Sequence, residues 1–415
     1  MPISFGEIKL KSPLFLKQIT KNKNLSLLFA GQLVSQMGDS MFLIGLMWLV
    51  LELTGSKSIM GTVAFVSYIP MLIFGLLAGL AVDTYNRKKL MLVADILRAF
   101  VVLVIPVTYV LGAINISIII LVAFALSSLA TVFNPSRDSI VPFLVEPENL
   151  LKANSAIQVS NYIAVLLGPA LGAALIGVIG IVHLFTIDSF TFLISFVTIL
   201  FIAYSPKQPE ARRAGVKPLA GISEAISYVR TNRKVKFLLI LTAVNNFFIM
   251  GPAIVGVPIF VKDVLKEGAS SYALVESSYG VGMLLGAFII NYASRRFTTG
   301  KLLLLGMIFD GITYSVLYFT QSLYVMITLI SFHAIGIPFI VVARTSLIQK
   351  WVEDKKLGRL FSLVNMAVVG MTALTTGATG FLAEFVSIEW IFMFFGVAGT
   401  LCGIAGWLYK DLREG

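Results

Sequence analysis

Cysteine occurs once, at Cys402, and histidine twice, at His183 and His333. A single thiol excludes an intrachain disulfide and a thiolate metal site, and two distant histidines fall short of a catalytic zinc set. No G-x-x-x-x-G-K-S/T stretch is present, which argues against ATP as a power source. Charge is scarce as well: Asp, Glu, Lys and Arg make up 13% of the residues, about half the share usual in a soluble domain. The expectation is a chain with no metal and no cofactor, and no fixed constellation of groups for enzyme chemistry.

Hydrocarbon fills the gap. The 415 residues are 58% hydrophobic, with a mean hydropathy of +0.92. Apolar runs of about 20 residues, each able to cross a ~30 Å hydrocarbon layer as a helix, recur throughout. Twelve can be placed, at 25–53, 58–82, 89–112, 115–134, 153–179, 181–204, 235–261, 271–292, 300–320, 322–343, 361–385 and 389–409. They are continuously apolar and do not alternate in short segments, so they read as helices and not barrel strands. The expected fold class is an all-α integral membrane protein with twelve transmembrane helices.

The net charge of +11 could point to nucleic acid, but its distribution argues otherwise. With a cytoplasmic N-terminus, 28 of the 32 Lys and Arg fall in loops on one side of the bilayer. That asymmetry sets orientation by the positive-inside rule and predicts that both termini are cytoplasmic. The opening stretch carries Lys9, Lys11, Lys17, Lys21 and Lys23 without a short apolar core and small-residue cleavage site, so helix 1 reads as an uncleaved anchor.

One long polar interruption, 205–234, divides the chain into bundles 1–204 and 235–415. Within it Ile222, Ala225, Ile226 and Val229 share one helical face, the pattern of an amphipathic tether lying at the membrane surface. The halves also repeat at an offset of 207 residues: Arg137, Glu146 and Leu150 map to Arg344, Glu353 and Leu357, Gly79 to Gly286, and Asp39 to Asn246. Six crossings per half give both the same orientation, with a site expected at their interface.

These features, with "GLAVDTYNRKKL" after helix 2, resemble the major facilitator superfamily and its motif G-x-L-a-D-r-x-G-r-K. Gly79, Asp83, Arg87 and Lys88 match it, while Asn86 replaces a glycine. "GQLVSQMGDS" in helix 1, "NPSRDSIVPFLVEPENLLKANS" after helix 4 and "LGRLFSLVN" entering helix 11 are similar to the macrolide-efflux and siderophore-exporter branch of drug:proton antiporters. The resemblance implies two pseudo-symmetric six-helix bundles in a plasma or inner cell membrane, monomeric, exporting amphiphilic small molecules in exchange for protons by rocking of the halves. A lipid or lysophospholipid transporter, or a siderophore or metabolite exporter, of the same fold remains an alternative.

Asp39 lies about 14 residues into helix 1, ~21 Å along it. A charge near that depth costs roughly 2.5–3.5 kcal/mol on insertion scales, so the residue should face the bundle interior. Two readings stand: substrate or proton binding, and a packing hydrogen bond. Gln36 shares its face. Asp310, Asp188 and His333 are further intramembrane polar positions, each with a packing reading beside the functional one. In the family, helices 1, 4, 7 and 10 line the cavity. That favours Asp39, Asn245, Asn246 and His333 as site residues, with Asp310 and His333 as alternative proton carriers and Phe42, Phe124 and Phe248 among the apolar lining.

By the same resemblance Asp83, Arg87 and Lys88 form a gate, with Asp95 or Asp138 as further partners. Asp95 and Arg98, three apart, can also neutralise each other as a structural pair. The few-residue turn between helices 2 and 3 suggests a left-handed backbone at Asn86. In helix 5, Gly168, Pro169 and Gly172 resemble the antiporter motif G-P-x-x-G-G, and close helix packing would also explain them.

Overall fold

The computed structural model describes residues 22–146, 149–204 and 226–415. Among them are twelve helices long and apolar enough to cross a membrane, and no strand. In chain order they are α1 (Lys23–Thr54), α2 (Lys57–Thr84), α3 (Arg87–Val110), α4 (Ile116–Ile140), α5 (Leu150–Ile179), α6 (His183–Leu200), α7 (Arg233–Gly251), α8 (Ala269–Ala293), α9 (Thr299–Val316), α10 (Leu323–Trp351), α11 (Asp354–Leu382) and α12 (Ile388–Leu408). Of the expected tether, residues 226–231 are helical, and Ile222 and Ala225 lie outside the described residues.

Helix starts are set by side chains that take up otherwise unpaired backbone donors. Asn22, Ser56, Asn115, Asn232 and Thr298 each accept from a backbone N–H three residues on. Asn86 does the same for Lys89 at 3.1 Å, with φ −66° and ψ 114°. The left-handed turn expected there is therefore corrected. The asparagine is an extended N-cap, and cap chemistry explains why it stands where the motif has glycine.

Three helices run on past the apolar windows seen in the sequence. α4 continues through Pro135 to Ile140, and α10 through Pro338 to Trp351. α7 is prolonged by π turns at Pro252–Gly256 and Phe260–Val264, separated by one α-helical stretch. Proline lacks the N–H of the regular ladder, so Pro252 fits where the winding is widened, and Pro258 sits in the α-helical stretch between the two π turns.

The buried core branches. One cluster joins Leu46, Met47 and Val50 of α1 to Val257, Tyr272 of α8 and Tyr314 of α9. A second holds residues of the first six helices alone, among them Leu25, Leu28, Met91, Ile140 and Ile199. A third holds residues of the last six and the chain end, among them Val235, Leu303, Leu347 and Leu412. The two sets thus share packing at the end away from the start of α1 and the end of α12, and pack separately at the end where α1 starts and α12 ends.

Small residues permit the shared contact, as expected where lipid removes the hydrophobic drive between helices. Gly61 of α2 and Gly380 of α11 meet backbone to backbone: a Cβ on Gly61 would fall 2.8 Å from the Gly380 Cα.

Candidate functional site

α1 is walled on two sides. A Cβ on Gly38 would strike Thr191 and Asp188 of α6, and a Cβ on Gly168 of α5 would come 2.9 Å from the Met37 carbonyl oxygen. The remaining face carries Gln32 and, two turns on, Asp39. Gln32 is buried and its Oε1 accepts from Arg137 Nη1 of α4 at 3.2 Å. Asp39 is exposed although it stands in the middle of a 32-residue membrane helix. Its face is therefore left uncovered by α5 and α6.

Gln36 turns toward α5, where its Oε1 accepts from Ser160 Oγ at 3.1 Å. Arg137 also pairs with the exposed Asp138 at 2.8 Å. Sequence reasoning placed Arg137 in a loop, because Asn134 and Pro135 mimic a turn. The helix runs through them and delivers the guanidinium to α1.

The last six helices hold a buried polar cluster. His333 Nδ1 lies 3.0 Å from Thr313 Oγ1 and 3.1 Å from Asp310 Oδ1, the latter approach lacking hydrogen-bond alignment. The imidazole stacks on Tyr314 at 3.9 Å, and the Tyr314 and Tyr279 hydroxyls meet at 2.7 Å. His333 and Asp310 are thus brought together in one buried cluster.

Asn245 is buried with its Oδ1 unpartnered, whereas Asn246 donates to Val368 O and Thr372 Oγ1 of α11 at 3.1 and 2.9 Å. The aromatic candidates spread apart. Phe42 packs edge-on to Phe185 of α6, Phe124 to Phe74 of α2, and Phe248 to Phe395 of α12. Sequence reasoning missed Glu276 on α8, although a lone acid in an apolar run is a signal in itself.

Around the α2–α3 turn, Arg87 stacks over Phe143 at 4.8 Å and reaches Tyr204 Oη at 3.3 Å. Lys88 donates to the Leu200 and Ile202 carbonyls at 2.9 and 2.8 Å, tying α3 to the end of α6. The Asp83 side chain lies outside the described residues. Asp95 is buried and bonded to Arg98, whose guanidinium sits between the rings of Phe133 and Phe192 at 4.1 and 4.4 Å. That geometry matches the structural-pair reading.

At the opposite end, polar links cross between the two sets. Lys57 meets Asp263 at 2.7 Å, and Lys262 Nζ donates to the Leu51 carbonyl at 2.9 Å. Glu384, just past α11, accepts from Ser56 Oγ and the Ser58 backbone N–H at 2.7 and 2.8 Å, capping α2 from the other set. These two donors hold its carboxyl below the ordinary glutamate range. No group of three or more His, Cys, Asp or Glu among the described residues could hold a metal ion.

Comparison with known proteins adds to this geometry. The family model described as transmembrane secretion effector matches residues 20–414. Macrolide efflux protein A of Streptococcus pyogenes is 24% identical, covering 81% of this chain and 83% of its own length. Multidrug efflux pump Tap of Mycolicibacterium fortuitum is 23% identical over 95% of this chain and 98% of its own. Among solved structures, the nucleoside transporter NupG superposes with a TM-score of 0.78 at 12% identity, covering 93% of this chain and all of that one (100%).

Proposed function

Because the chain belongs to the transmembrane secretion effector family of major facilitator transporters, a multi-pass membrane protein for small molecules, we propose that it exports amphiphilic compounds in exchange for protons. Asp39 is the coupling acid. The single observation that carries the reading is the branched core. Packing shared at one end and separate at the other leaves a space between the sets into which Asp39 is exposed.

The cation asymmetry of the loops supports a cytoplasmic position for both termini. On that footing the space opens to the cytoplasm and the Lys57, Asp263 and Glu384 contacts close the outer face. Substrate enters from within, and opening the outer contacts while closing the α2–α3 end around Arg87 and Lys88 releases it outside. Asp39 is protonated from outside and deprotonated inside, and substrate and proton compete for the occupied state. The names of the streptococcal and mycobacterial relatives favour a macrolide or other drug as cargo. A lipid substrate of the same fold is the second reading.

The test is proton flux in proteoliposomes under an imposed pH gradient, on addition of erythromycin or ethidium, for wild type and Asp39→Asn. Substrate-dependent proton movement that vanishes in the variant is the expected result. Unchanged movement in the variant transfers the role to the Asp310–His333 cluster. Absence of movement in wild type with either compound favours the lipid reading.

A further inference from the structure

Among the described residues the intramembrane acids are answered by neighbours, with two exceptions, Asp39 and Glu276. Asp95 has Arg98, Asp188 accepts from Thr191 Oγ1 at 3.2 Å, and Asp310 has His333. Asp39 faces the open space. Glu276 accepts no hydrogen bond and pairs with no cation among the described residues, yet it is half-buried about 10 Å into α8. An ionisable side chain at such depth is costly to keep without a purpose.

Its surroundings are specific. Tyr272 and Tyr279, four residues before and three after, share its face of the helix. Tyr272 stacks on Trp48 of α1 with ring centroids 6.0 Å apart. Ser277, next in sequence, donates to the Leu166 carbonyl of α5 at 2.7 Å, and Gly280 lies directly against the Leu166 backbone. Glu276 therefore faces the groove between α1 and α5, one turn below the aromatic pair that roofs the closed end. A carboxylate without a partner, with Tyr272 and Tyr279 one turn to either side on the same helix, is an arrangement that attracts an organic cation: the charge is met by the acid and the hydrocarbon by the apolar groove.

We infer that Glu276 is the seat for the positive charge of a cationic amphiphile, a specificity residue separate from the coupling acid. This rests on the transport reading above and names its substrate class: a lipophilic ammonium or phosphonium compound. Seated there, the cation touches both six-helix sets at their junction, so occupancy bears directly on the contacts that must part when the outer face opens.

The experiment measures equilibrium binding to the purified full chain of two probes alike in their phenyl groups, tetraphenylphosphonium and uncharged triphenylphosphine oxide, with wild type, Glu276→Gln and Glu276→Asp. The glutamine variant keeps volume and hydrogen-bonding capacity but loses charge, and its monodispersity in gel filtration checks folding. The expected result is tetraphenylphosphonium affinity down roughly tenfold or more in Glu276→Gln, oxide affinity within about twofold, and the aspartate variant keeping most of the cation preference. Equal weakening of both probes, wild-type cation binding in Glu276→Gln, or a wild type that does not prefer the cation would each overturn it. The proton-flux assay on Asp39→Asn reads separately. Coupled export without cation preference removes this site and leaves the transport reading, and cation preference without proton coupling does the reverse.

Discussion

Lys57, the first residue of α2, meets Asp263, in the π turn that prolongs α7, at 2.7 Å across the two six-helix sets. Both are partly exposed, at 23% and 37% of their side chains. Such a pair contributes about 0.2–1 kcal/mol, up to roughly a fivefold bias between closed and open outer faces. Lys57→Ala and Asp263→Ala should each raise outside labelling of a cysteine placed at Leu43, in a Cys402→Ser background. The swapped pair Lys57→Asp with Asp263→Lys should bring labelling back toward wild type.

Glu384 adds a dependence on external pH. Its carboxyl is held below its ordinary value by Ser58 and Ser56. Its contribution is therefore complete above the ordinary glutamate range and is lost as pH falls through the lowered value. Labelling at the same cysteine should rise as the outside pH is taken below the ordinary glutamate range. Glu384→Gln should abolish that rise, and a rise of equal size in Glu384→Gln would reject the assignment.

The Asp95–Arg98 pair predicts a stability cycle. Removing one partner leaves a buried charge uncompensated, so Asp95→Asn or Arg98→Met alone should cost about 3–5 kcal/mol. The double variant should recover most of that loss, read as thermal unfolding in detergent. Additive losses would mean that the two side chains do not answer each other.

Gly168 and Gly172 separate packing from motif. A Cβ at Gly168 would crowd the Met37 carbonyl, whereas at Gly172 the nearest atom is 3.6 Å away. Gly168→Ala should destabilise the protein by about 1–3 kcal/mol, read as a lower melting temperature. Gly172→Ala should leave it nearly unchanged. Equal tolerance at both positions would remove the close approach of α5 to α1 as the reason for the glycine.

Much of this architecture was legible because membrane helices announce themselves by length and hydropathy, and because a charge within an apolar run is conspicuous. Helix ends were less so. Asn134–Pro135 read as the end of a helix, yet both residues lie inside α4, and α10 runs on from 343 to Trp351, since proline in a span is tolerated when neighbouring groups satisfy the freed carbonyl. The motif resemblance drew attention to Asp83 and Arg87, while the cross-set contacts of Lys57, Asp263 and Glu384 depend on pairing between residues more than 200 positions apart. Nothing local marks them. The Asp39–Asn246 repeat shows the limit from the other side: equal sequence positions diverged, Asp39 to the open space and Asn246 to hydrogen bonds with α11.

The contact of Gly61 with Gly380 gives the closed end the character of a bearing. Two helices that touch through bare backbone have no side chains meshed at that point, so one can roll over the other without lifting knobs out of holes. Nor does their parting strand a polar side chain. The resistance to opening then comes from the apolar cluster that the two sets share and from the few charged contacts beyond it, and a change at one of those contacts can shift the pace of the cycle.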